Sequence, residues 1–71
     1  MTKMYKVTYG ESTWAGNDWY ADQEDAEKRY NEIAKVAEWG GIEEVIIKKG
    51  FFKEKIEAII KIDGFIKKEG L

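Results

Sequence analysis

The chain has neither cysteine nor histidine among its 71 residues, and that absence limits it more than anything it contains. A domain this short usually needs a disulfide, a metal or a partner subunit to supplement its core. Disulfide frameworks, thiolate chemistry, zinc fingers and imidazole acid–base catalysis are all closed to it. What remains is apolar packing, or association with another chain. With 44% hydrophobic residues, including three Trp, four Tyr and three Phe, a single globular domain over residues 1–71 is feasible.

Periodicity supplies the elements. From Lys3 to Tyr9 the chain alternates, with Tyr5, Val7 and Tyr9 on one face and Met4, Lys6 and Thr8 on the other, which predicts a strand. Gly16-Asn17-Asp18 is turn chemistry. It predicts a hairpin with a long aromatic tip and a short second strand over 18–21. Asp22 is a good N-cap, and acidic residues crowd the turn after it, where the helix dipole favours them. Ala26, Tyr30, Ile33, Ala34 and Ala37 recur at helical spacing. A helix over 22–39 follows, stopped by Gly40-Gly41, with Trp39 as a lid on the core.

Residues 42–48 are β-branched and bounded by glycines, which predicts a third strand. Residues 52–63 fit two templates. As a strand, Ile56, Ala58, Ile60 and Ile62 alternate with Glu57 and Lys61 across a Lys49-Gly50 turn. As a helix, Phe52, Ile56, Ile59 and Ile60 share a face. The isoleucines and the short turn favour the strand. The expected fold is α+β: a four-stranded antiparallel sheet in ββαββ order with one helix packed on one face. The alternative is ββαβα, with residues 52–63 helical. The expected core is Tyr5, Val7, Tyr30, Ile33, Ala37, Val45, Ile47, Ile56 and Ile60, and the tail is expected to be ordered through Phe65 and Ile66 and then to fray.

Charge narrows the function. Residues 11–32 carry seven acids against two bases, while residues 41–71 carry seven lysines against six acids. A general nucleic-acid binder shows a basic stripe, so direct nucleic-acid binding is disfavoured. No stretch approaches the roughly 20 apolar residues of a membrane span, and Met1-Thr2-Lys3-Met4 opens no signal-like run; the expected location is the cytoplasm. Ser12 has no histidine to activate it, Glu43-Glu44 reads as a solvated strand edge, and Asp18, Asp22 and Asp25 lack the terminal Glu of a calcium loop. The reading is of a protein that is not an enzyme and has no cofactor and no metal.

Trp14, Trp19 and Tyr20 cluster in a turn-rich segment with little room to bury all three, and such residues dominate interface hot spots. They are the expected partner-binding anchors, with Asp18, Asp22, Glu24 and Asp25 as an acidic rim that selects a basic partner. The rivals are a single-stranded nucleic-acid module stacking bases on these aromatics, and a homo-oligomeric structural subunit pairing through a strand edge.

Three segments carry a resemblance: the strand Met4-Tyr5-Lys6-Val7-Thr8-Tyr9, the helix segment Glu24-Asp25-Ala26-Glu27-Lys28-Arg29-Tyr30, and the strand start Gly41-Ile42-Glu43-Glu44-Val45. In size and style they resemble small accessory and anti-defence proteins of bacteriophages, some of which inhibit CRISPR effectors or host enzymes. The resemblance implies an inhibitor that occludes the surface of a host or defence protein in the host cytoplasm, including basic, nucleic-acid-binding surfaces. It carries over no functional residue.

Overall fold

The computed structural model describes residues 2–67. Strand β1 runs Thr2–Glu11, β2 Trp14–Tyr20, β3 Trp39–Lys49 and β4 Glu54–Ile66, and helix α1 spans Gln23–Val36. The strands form one antiparallel sheet in the order β2-β1-β3-β4, with the helix on one face. This is the expected ββαββ arrangement, and residues 52–63 contribute a strand.

The alternation in β1 decides which face is covered. Val7 pairs with Ile42 across the β1–β3 ladder, and both lie under the helix with Ala26, Tyr30, Ile33 and Ala37. Tyr5, Tyr9, Tyr20 and Phe65 close the margins of this cluster. Burying Val7 and Ile42 contributes roughly 1.5–3 kcal/mol each, a large part of what so small a domain can have. The helix has 14 residues and so is about 21 Å long, whereas the molecule measures 52 × 24 × 16 Å. It lies over β1, β2 and β3, and the far part of the β3–β4 hairpin projects past it as an arm.

The boundaries depart from expectation in ways that packing explains. The first hairpin turns at Ser12-Thr13, and Gly16-Asn17-Asp18 lies inside β2. Gly16 pairs with Tyr9, whose ring comes within 3.1 Å of where a Cβ would stand; the glycine makes room for an aromatic neighbour and no turn is needed there. The helix stops at Val36. Ala37 is already extended (φ −86°, ψ 155°), with its N–H donating to the Ile33 carbonyl at 2.8 Å. Asp22 is the N-cap, although its side chain makes no capping hydrogen bond.

Trp39, Gly40 and Gly41 are therefore the first residues of β3 and not the end of the helix. The Trp39 ring lies against Gly10, leaving no space for a Cβ there, and Gly40 receives the edge of Phe65 at 2.8 Å from its own Cβ position. The expected core also needs correction. Ile42 belongs to it, Val45 is buried on the opposite face of the sheet, and Ile47 is only half-buried. Ile56 and Ile60 are 58% and 48% exposed, because Ile56 faces the side away from the helix, beside Ile47, and Ile60 sits beyond the helix's reach. At the end of β4, the Lys67 N–H donates to the Glu38 carbonyl at 2.7 Å; residues 68–71, where fraying was expected, lie outside the described residues.

Candidate functional site

The sheet face away from the helix is bare, and its pairing registers order its side chains in rows. Trp19, Lys6, Glu43 and Lys61 form one row, and Ala15, Gly10, Trp39 and Ile66 form another. Between them run Asn17, Thr8, Gly41 and Gly64, a row whose β3 and β4 members carry no side chain. The result is an open trough of about 670 Å³, walled by Trp39 and Ile66 on one side and by Glu43 and Lys61 on the other. On the far side of the charged row, Met4, Val45 and Ile59 make an apolar strip.

The proposed anchors occupy different parts of this framework. Trp14 and Trp19 are five residues apart on one regular strand, so they point to opposite faces. Trp14 stands on the helix side, edge-on to Tyr9 with ring centroids 5.9 Å apart. Trp19 stands on the bare side, with the Lys6 ammonium 5.4 Å from its ring centroid. They are 49% and 44% exposed. Tyr20 is half-buried beside the core, and its hydroxyl pKa is raised, first by desolvation and then by the Asp18 carboxylate. Trp14 lies about 20 Å along β2 from Tyr20, next to the turn, whereas Asp22, Glu24 and Asp25 start the helix at the other end, exposed to water.

Asp18 is engaged within the fold. Its Oδ2 accepts hydrogen bonds from Arg29 Nε at 3.1 Å and from the Tyr9 hydroxyl at 3.3 Å. Arg29, the one arginine in the chain, also pairs with Glu32 at 3.2 Å and has its guanidinium 5.5 Å from the Tyr9 ring centroid. These contacts, Asp18 first, raise its pKa further. Arg29 is thus the pin between helix and β2, a role the sequence signals only through its being the single planar cation. The structure brings together Trp19 with Lys6 and Asp18 with Arg29, and it separates Trp14 from both Trp19 and the helix start.

Sequence reasoning gave the arm no partner-binding role. Phe51 and Phe52 stack edge to face at 4.7 Å and are 94% and 93% exposed. Lys48, Lys49, Lys53 and Lys55 surround them in sequence. Ile56, Ile59, Ile60, Ile62 and Ile66 continue the exposed apolar series along β4. Among the described residues no group of His, Cys, Asp or Glu is placed to hold a metal ion, and no helix is long and apolar enough to cross a membrane. Compared with protein-family models, curated proteins and solved structures, the chain matches none.

Proposed function

We propose that the chain is a non-catalytic binding protein that occupies a surface of a protein partner. The observation that carries this reading is the bare sheet face with Trp19 held open on it, supported by Lys6 beneath and the trough beside Trp39. Apolar surface of this kind, rimmed by charge, marks interaction sites in small proteins. Trp14, half-exposed beside Tyr9, supplies a second aromatic on the other side of the same edge strand. Asp22, Glu24 and Asp25 are exposed and give the neighbouring helix start a negative field, which favours a basic partner.

The finer reading is an inhibitor of phage type that covers a basic, nucleic-acid-binding surface of a host or defence protein, acting in the cytoplasm. It rests on the resemblance described above and on this acidic helix start. The test is capture from host lysate with the wild type beside Trp19→Ala and beside Asp22→Lys/Asp25→Lys. Trp19→Ala should weaken binding of the captured protein by at least about 2 kcal/mol with the fold intact by circular dichroism. The charge reversals should mainly slow association, and less so as salt rises. Tight, salt-sensitive quenching of tryptophan fluorescence by a single-stranded oligonucleotide would replace this reading with a nucleic-acid module.

A further inference from the structure

We propose that two copies of the chain pair edge to edge through β4, antiparallel and centred on Ile59, to make one continuous eight-stranded sheet. β4 is the outermost strand on its side of the sheet and has 13 residues. Such an edge presents unpaired N–H and C=O groups along its whole length and is a template for another strand. Most long edges are guarded by charge. On β4 the charges are instead arranged to complement themselves.

With a twofold axis at Ile59, each residue faces a defined residue of the second copy. Ile59 meets Ile59, Ala58 meets Ile60, Glu57 meets Lys61, Ile56 meets Ile62, and Lys55 meets Asp63. Every charged position in this span then faces the opposite charge, and each pair occurs twice by symmetry. Shifting the centre by one or two residues destroys this. Centred on Ala58, Lys55 faces Lys61; on Ile60, Glu57 faces Asp63; on Glu57 or Lys61, that residue faces its own copy. Like charges directly opposite are destabilising in a sheet, and opposite charges stabilise it, so charge excludes these neighbouring registers. Centres at Ile56 or Ile62 also match charges, but they pair less of β4 than the centre at Ile59 does.

The same register accounts for the apolar surface left in water. Ile56, Ile59, Ile60 and Ile62 are 58%, 56%, 48% and 38% exposed in the single chain and all acquire apolar neighbours. The arm tip falls alongside the other copy's sheet, so that Phe52 arrives at the level of the second copy's Ile66, itself 79% exposed. The β4 irregularities, at Glu57 and Ile62, stand on either side of Ile59 and leave Ala58–Lys61 as a regular ladder at the axis. Because opposed residues in an antiparallel pair share a face, both helices lie on one side and both bare faces on the other. This interface is isologous and closes at two chains. It leaves Trp14, Trp19 and the acidic helix start free, while Lys61, Asp63 and Ile66 on the β4 side of the trough lie at this interface.

Light scattering on the full chain at high micromolar concentration should give twice the 8.3 kDa of one chain. Glu57→Lys and Lys61→Glu should each weaken self-association at least about tenfold, because each places like charges opposite one another at two positions. The double variant Glu57→Lys/Lys61→Glu restores opposite charges and should recover the dimer, which a mere folding defect would not do. Ile59→Cys should link to its own copy under mild oxidation, and Val36→Cys on the exposed side of the helix should not. A wild type that stays monomeric overturns the proposal. So does a double variant that remains as weak as the single ones, or a dimer that Ile59→Cys fails to link.

Discussion

The two halves of the sheet use the same kinds of residue and end in opposite states. Where β1 and the start of β3 run beneath the helix, Val7 and Ile42 are 0% and 1% exposed. On the arm, isoleucines of the same size on β4 are half in water, and the paired phenylalanines at its tip are almost wholly so. Nothing in the side chains themselves separates the two groups. What separates them is a second layer: Val7 and Ile42 face the helix, which reaches about 21 Å, whereas Ile56 and Ile59 face the bare side and Ile60 lies beyond the helix's reach. Burial here is a property of what lies opposite, and a strand pattern alone states only which residues could be buried together.

The sharpest way to break that contrast is a matched pair of truncations, measured at dilution so that association does not intervene. Ile33→Ala, under the helix at 2% exposure, should cost about 2–5 kcal/mol in a denaturant melt. Ile56→Ala on the arm should cost below about 0.5 kcal/mol, as surface substitutions do. Equal losses would mean that the arm is covered by something in the isolated chain and that the contrast is false.

A smaller effect comes from alkaline titration, which tests the helix-covered half alone. The hydroxyl pKa values of Tyr20 and Tyr30 are raised, in each case chiefly by desolvation, with Asp18 adding to the first and Asp63 to the second. Their folded-state pKa values lie above the unfolded one, so the unfolded chain gives up these protons first. Stability from this source is therefore intact below about pH 10 and declines above it. Tyr30→Phe should flatten part of that decline in melts run across the alkaline range. The smallest expected effect is at the tip: Phe51→Ser/Phe52→Ser should leave the dilute-solution melting temperature unchanged, since neither ring contributes to the covered core.

Much of the fold was legible because it depended on local pattern. The period-two run of Tyr5, Val7 and Tyr9 and the helical stripe through Tyr30 and Ile33 needed no knowledge of distant residues. The strand at β4 could be told from a helix by its isoleucines, although the turn before it falls at Phe51-Phe52 and not at Lys49-Gly50. What could not be read were the features fixed by non-local neighbours. Gly16 and Gly40 look like turn and stop signals, yet each sits in a strand opposite an aromatic ring from elsewhere in the chain, Tyr9 and Phe65. The candidate site suffered in the same way. Trp14 and Trp19 are close in sequence, but moving the turn to Ser12-Thr13 made them members of one strand, and an odd spacing sent them to opposite faces.

The strand order has a consequence for how the chain is made. β1 emerges first from synthesis and can close onto β2 at once through a two-residue turn, and then onto the helix. Its other edge must wait for β3, which pairs Trp39 with Gly10 and Ile47 with Thr2. Contacts so distant in sequence are slow to close, whereas the β3–β4 hairpin is local and closes in about 1–10 μs once made. Until β3 is made, the future centre of the sheet is an open border, with the β1 backbone groups on that side unpaired. The pairing of β3 with that border brings Trp39 against Gly10 and leaves β1 with a partner on both sides.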